Sequence, residues 1–221
     1  MELKFQVEIH SDKSRAFHTN VVVGKSSIDH YAFWLSGSYE NALHDQGQIV
    51  ANMVRDLFRL GVHDIFVKPY EVSVYIDDSK RPWRRWDERI DEIVENTFKE
   101  LGRIQGIPSG KKVVIGKSQS GRLEYHTNFE VSRSVIEDFK RPLRDSSGSY
   151  LTKIGSEGAS LVRKLMALPG TTEIWMHPYE VSVSIGQAFS WTERDDNGKT
   201  LEDKIKLAFE NVFGNITFVT K

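Results

Sequence analysis

Pro69-Tyr70-Glu71-Val72-Ser73-Val74 recurs without change as Pro178-Tyr179-Glu180-Val181-Ser182-Val183, an offset of 178 − 69 = 109. A hexapeptide repeated at that distance points to an internal duplication, and shorter matches elsewhere keep the same order. His18-Thr19-Asn20 returns as His126-Thr127-Asn128, and Met53-Val54-Arg55 is matched by Leu161-Val162-Arg163, both at an offset of 108; Gly37-Ser38-Tyr39 returns as Gly148-Ser149-Tyr150 at 111. One inserted residue, Pro169, ahead of the shared Gly61/Gly170, accounts for the step from 108 to 109. The chain therefore reads as two copies of one unit of about 105 residues, an ordinary size for a small domain. The boundary falls near Gly106, in a stretch of linker composition, so that 1–106 is the first repeat and 107–221 the second.

Outward from the hexapeptide, the hydrophobic period orders the elements. Val72-Val74-Ile76 and Val181-Val183-Ile185 alternate as strands, and the turn at Pro69 or Pro178 joins each to a preceding strand through Ile65/Val67 or Ile174/Met176. Upstream, Ile49, Val50, Met53, Val54, Leu57 and Phe58 recur at helical spacing, as do Leu161, Val162, Leu165, Met166 and Leu168. Phe5-Val7-Ile9 and Phe17-Thr19-Val21-Val23 open the first copy as two strands, and Val113-Ile115 and Tyr125-Thr127-Phe129-Val131 open the second. Between them and the helix lies a polar loop holding the Gly-Ser-Tyr copy, with room for a short edge strand. Each copy closes on an amphipathic helix, through Ile90, Ile93, Val94, Phe98 and Leu101 or Leu201, Ile205, Ala208, Phe209, Val212 and Phe213, with Thr200 and Asp203 as N-terminal capping residues. The expected fold class is α+β: two repeats of ββαββα, each an antiparallel sheet with two helices packed on one face.

The 221 residues carry 30 Lys plus Arg against 31 Asp plus Glu, a net charge of −1, and no cysteine. A neutral balance argues against a dedicated nucleic-acid arm. The missing cysteines exclude disulfides, thiolate-held zinc, cysteine-bound iron–sulfur clusters and a Cys nucleophile. No apolar run reaches the roughly 18–20 residues needed to span a bilayer, and the opening residues lack the apolar core of a secretory signal. The sequence thus reads as a cytoplasmic protein, with no membrane partner and no cofactor expected.

The segment 161–183, from the helix through Pro169-Gly170 to Tyr179-Glu180-Val181-Ser182-Val183, resembles the N-terminal domain of the Nfu/NifU scaffold proteins: helix, Pro-Gly corner, apolar strand, aromatic, x-Val-Ser-Val. His18-Thr19-Asn20 and His126-Thr127-Asn128 are similar to that family's early Asn-Thr stretch, and Trp86 sits where the family places a Trp ahead of the last helix. The family's Cys-x-x-Cys cluster-binding domain is absent. The resemblance therefore implies a tandem of the non-cluster domain: a non-enzymatic protein-interaction or scaffold protein, accessory to iron–sulfur cluster assembly, with assembly factors or client proteins as partners.

Strand alternation assigns residues to faces. With Val21, Val23, Val72 and Val74 facing the core, the opposite, open face is expected to carry His18, Asn20, Glu71, Ser73, Tyr75 and Phe66 in the first copy. In the second it carries His126, Asn128, Glu180, Ser182 and Trp175. Phe66 and Trp175 are then aromatics on polar ground, to be read as packing between the copies, as anchors for a partner protein, or as stacking platforms for single-stranded nucleic acid. Arg81, Trp83, Arg84 and Arg85, in the basic run 80–86, join them as candidate contacts, and the nucleic-acid alternative uses both surfaces. His18 and His126 also invite a metal or acid–base role, against which stands the ordinary hydrogen-bonded turn; no metal-ligand motif, nucleophile elbow or phosphate loop accompanies them.

Overall fold

Pro69-Tyr70 and Pro178-Tyr179 are the turns of two equivalent antiparallel hairpins, in which Lys68 pairs with Glu71 and His177 with Glu180. Proline presets φ for a turn and has no N–H to give to a ladder, so the turn residues offer carbonyls. Those carbonyls hold the chain leaving the neighbouring strand: Tyr70 O accepts from Thr19 N–H (3.0 Å) and Pro69 O from Val23 N–H (2.8 Å), matched by Tyr179 O with Thr127 N–H (2.9 Å) and Pro178 O with Val131 N–H (2.7 Å). The hexapeptide and the His-Thr-Asn copy are thus two sides of one contact.

The computed structural model describes residues 2–26, 28–33, 39–76, 87–118, 120–134 and 136–220. The chain divides into two units, Met1–Ser109 and Gly110–Lys221. In the first, strands β1 (Phe5–Ser11), β2 (Ser14–Thr19) and β3 (Asp29–Ala32) precede helices α1 (Tyr39–Gln46) and α2 (Gln48–Leu60). Strands β4 (Asp64–Lys68) and β5 (Glu71–Tyr75) and helix α3 (Asp87–Gln105) come next. The sheet order is β1-β2-β5-β4-β3, with each of these pairings antiparallel. The second unit has β6 (Lys111–Lys117), β7 (Leu123–Thr127) and β8 (Glu137–Lys140), then α4 (Gly148–Lys153) and α5 (Gly155–Ala167). It continues with β9 (Thr171–His177), β10 (Glu180–Ile185), α6 (Leu201–Phe213) and β11 (Ile216–Thr220), in the order β11-β6-β7-β10-β9-β8. Among the described residues, only β11 runs parallel to its neighbour, β6.

The architecture is mixed α+β. In the first unit Phe17, Ile65, Val67, Val72 and Val74 from one sheet face meet Met53, Val54, Leu57, Ile90, Val94 and Phe98 from α2 and α3 in one core. Tyr125, Ile174, Val181 and Val183 meet Leu161, Leu165, Ile205 and Phe209 in the other. Gly61 ends α2 in the left-handed conformation that side chains avoid, with its N–H on Phe58 O. Thr200 and Asp203 close a reciprocal capping box at the start of α6.

Edge strands β3 and β8 fill the room left for a short edge strand in the polar stretch. Three features depart from the expected pattern. Helices α1 and α4 also occupy that stretch, and β11 comes after the last helix of the second unit. The second strands stop at Thr19 and Thr127, because Val23 and Val131 bond to the turn carbonyls instead of a strand partner.

Candidate functional site

Asn20 and Asn128 spend both ends of their amides on the start of their own unit. Asn20 Oδ1 accepts from Lys4 N–H (2.9 Å) and its Nδ2 donates to Glu2 O (3.0 Å). Asn128 Oδ1 accepts from Lys112 N–H (2.7 Å) and its Nδ2 donates to Gly110 O (3.1 Å). The side chain substitutes for a ladder partner and aligns the incoming chain with the first strand. Both residues are buried. Their expected place on an open binding face is therefore corrected: they are fasteners of the sheet.

His18 and His126 are each 2% exposed, which corrects the same expectation for them. Each imidazole lies between two carboxylates. His18 Nε2 is 2.8 Å from Glu8 Oε2, and its Nδ1 is 3.7 Å from Glu71 Oε2. His126 Nε2 is 3.6 Å from Glu124 Oε2, and its Nδ1 is 3.5 Å from Glu180 Oε2. The second carboxylate is steadied alike in both units, by Ser73 Oγ donating to Glu71 (2.5 Å) and Ser182 Oγ donating to Glu180 (3.1 Å). Lys68 adds an ion pair to Glu71 at 3.2 Å. The central strands β2, β5, β7 and β10 are buried on both faces, so alternation along them separates an apolar layer from a polar one, not core from solvent.

Glu8 also touches His10, at 3.7 Å. Burial pushes the Glu8 carboxyl up, but contact with His10 and the hydrogen bond and charge of His18 outweigh it and hold the group at about 2, against a usual 4.5. His10 is raised in return, chiefly by Glu8. Tyr70, in the hairpin turn, is pushed up to about 12 by burial. These clusters are buried imidazole–carboxylate contacts inside the sheet: the serine hydroxyls donate to Glu71 and Glu180, His18 is hydrogen-bonded to Glu8, and Glu124 Oε2 and His126 Nε2 lie side by side without a hydrogen-bond partner among the described residues.

Phe66 and Trp175 occupy equivalent places on β4 and β9, opposite Ser73 and Ser182. Phe66 is half-buried, stacked on His30 with centroids 4.3 Å apart and a 3° tilt, and met edge-on by Tyr75 at 5.5 Å. His30 Nε2 and His63 Nδ1 in turn reach the two oxygens of Asp64, each at 2.7 Å. Trp175 is 38% exposed, and the Arg122 guanidinium lies over its ring at 4.2 Å. Arg122 pairs with Glu173 (3.4 Å), and Lys140 bridges Glu173 (3.3 Å) and Asp138 (3.2 Å) around it. Nothing in the sequence marks Arg122 as a partner of Trp175, because 175 − 122 = 53 positions separate them and neither a motif nor the repeat includes it.

Arg81, Trp83, Arg84 and Arg85 lie outside the described residues, as does Trp86. Among the described residues no group of three or more His, Asp or Glu side chains is placed to hold a metal ion, and no helix is long and apolar enough to cross a membrane. A surface cavity of about 390 Å³ in the second unit is lined by Pro169, Phe189, Arg194, Asp195, Lys199 and Lys204, among others. Three of its charged side chains are engaged, Lys204 with Asp195 at 2.8 Å and Arg194 with Gly198 O. No family model matches the sequence, and no curated protein matches it.

Proposed function

We propose that the protein is a non-enzymatic interaction protein that binds a partner protein through the Trp175 surface of its second unit. The observation that carries this reading is the Trp175–Arg122 stack: a large exposed aromatic, held flat by a guanidinium that is itself anchored to Glu173. Aromatic and Arg side chains held in place in a polar rim are the usual anchors of protein interfaces, because they bury much area while losing little side-chain freedom. Glu173 and Asp138 beside the ring place negative charge where a phosphate backbone would run, which favours a protein over single-stranded nucleic acid.

In this reading both units derive from one ββαββα domain of the Nfu N-terminal kind, to which the edge strands, the short helices and β11 are additions. That resemblance selects the partners to try first: iron–sulfur assembly factors and cluster-carrying clients. The test is recovery of partners from native lysate by the intact chain, by Trp175→Ala and by Arg122→Ala, each confirmed folded by circular dichroism. A protein recovered by the intact chain, lost with both variants and insensitive to nuclease supports the proposal. Recovery unaffected by both variants overturns it, and recovery abolished by nuclease transfers the surface to nucleic acid.

A further inference from the structure

Phe98 and Phe213 are equivalent buried residues of the closing helices, and beyond them the two units diverge. In the second, Gly214 adopts φ 83, ψ −151, a conformation open to glycine alone, and the chain leaves α6 to lay β11 parallel on β6, from Ile216 opposite Lys111 to Thr220 opposite Ile115. In the first, Lys99 stands at that place and α3 continues to Gln105, so no strand returns. Among the described residues β1 is the edge of its sheet, where its counterpart β6 is interior.

Burial records the difference. Val113 and Ile115 of β6 are buried, whereas their equivalents Phe5 and Val7 are half-buried and Ile9 is 63% exposed. The backbone direction is fixed as well. Lys112 O accepts from Asn128 N–H, so alternate residues of β6 turn to β7, and Val113 and Ile115 turn to β11. Lys4 N–H is held by Asn20 in the same way, which directs the N–H and C=O of Phe5 and Val7 away from β2. The stretch 3–7 contains no Pro and one Lys, Lys4, and its counterpart Lys112 lies opposite Thr217 of β11, so a Lys at this position is compatible with a strand beside it.

We propose that the edge of β1 at residues 3–7 receives an extended segment of a partner protein as a parallel strand. The second unit shows what fits: Ile216 and Phe218, two residues apart, pack on the core, Phe218 edge-on to Phe209, with Thr217 and Val219 on the other face. The ligand is therefore a strand with two large apolar side chains at alternate positions and β-branched residues beside them. Main-chain bonds supply the affinity and the apolar pair the register. This site is separate from the Trp175 surface, and either can fail without the other.

The probe is a synthetic peptide of residues 214–221, Gly-Asn-Ile-Thr-Phe-Val-Thr-Lys, added to the full chain and monitored by calorimetry and residue-resolved amide hydrogen exchange. At ten times its Kd, exchange at Phe5 and Val7 is expected to slow roughly tenfold. Val7→Pro, which removes one outward N–H and is tolerated on an edge strand, abolishes the effect, and so does a peptide with Asp replacing the residues equivalent to Ile216 and Phe218. Three results overturn the proposal: no saturable binding, protection at Val113 and Ile115 instead, which marks simple competition with β11, or a chain already dimeric by light scattering with Phe5 and Val7 protected, which makes a second copy the occupant.

Discussion

Glu8 and Glu124 stand on opposite members of the same cross-strand pair. Glu8 faces Ala16 across β1–β2, and Glu124 faces Gly116 across β6–β7, so that carboxylate and small residue have changed places between the units while a carboxylate remains beside each buried histidine. The pair is retained as a sum, one carboxylate and one small side chain, although neither position matches its copy.

That exchange predicts a rescue. Glu8→Ala leaves His18 without its closest partner and is expected to cost about 1–3 kcal/mol, the range for unsatisfying a buried polar group. Adding Ala16→Glu, which installs the second unit's arrangement, should return at least half of it. Urea unfolding of the single and double variants measures both, and a double variant no better than Glu8→Ala refutes the equivalence.

The same carboxylate sets an acid limit. Glu8 is held at about 2 in the folded chain against a usual 4.5, so its contribution is complete above the usual value and is lost as pH falls from there toward 2. The size is on the order of 2 kcal/mol, allowing for partial solvent screening. His10 is raised, so its contribution is complete below its ordinary value and disappears as pH rises through the raised one. Stability from the pair therefore peaks between the ordinary carboxyl and imidazole values. Glu8→Gln should flatten both limbs in urea titrations across pH and return the His10 NMR titration toward its ordinary position.

Much of this fold is legible in the sequence, and the reasons differ by element. Helices α2, α3, α5 and α6 declare themselves because their apolar residues recur every three or four positions over more than two turns. Helix α1, Tyr-Glu-Asn-Ala-Leu-His-Asp-Gln, has the buried Leu43 as the one large aliphatic residue in its sequence, too little for a period to show, and β3 and β8 are four residues long, too short for alternation to register. His18 is recognisable by its repeat, but alternation alone places it in the wrong environment, since a two-sided sheet gives polar residues a buried face of their own. Glu8 and Glu124 are invisible to the repeat because they are not copies of each other.

Two glycines at helix ends separate backbone from packing. Gly61 and Gly170 both have positive φ, 94 and 88, but a Cβ on Gly170 would also lie 2.5 Å from Cγ of Phe189. Gly61→Ala is expected to cost about 1–2 kcal/mol of backbone strain. Gly170→Ala should cost more, and Phe189→Ala in the same chain should bring the difference down. Thermal unfolding of the three variants checks the order.

Gly214 makes a comparable demand without crowding, for no heavy atom lies within 4 Å of its would-be Cβ. Gly214→Ala should therefore destabilise the second unit by about 1–3 kcal/mol through strain alone. The loss should be seen first as faster amide exchange in β11 and at Val113 and Ile115. Unchanged exchange there would mean that the turn into β11 tolerates a side chain.

The parallel β6–β11 ladder also fixes an order of events during synthesis. Lys111 meets Ile216 only after 216 − 111 = 105 further residues, which at ribosomal rates of about 5–20 residues per second is roughly 5–20 s. The first unit joins its sheet from antiparallel neighbours and has each of its five described strands once Tyr75 has emerged. The second unit must wait with β6 uncovered, and its high contact order makes that closure slow. Throughout the interval the nascent chain carries an apolar strand edge open to misassembly, so slowed elongation should reduce the yield of the second unit while sparing the first.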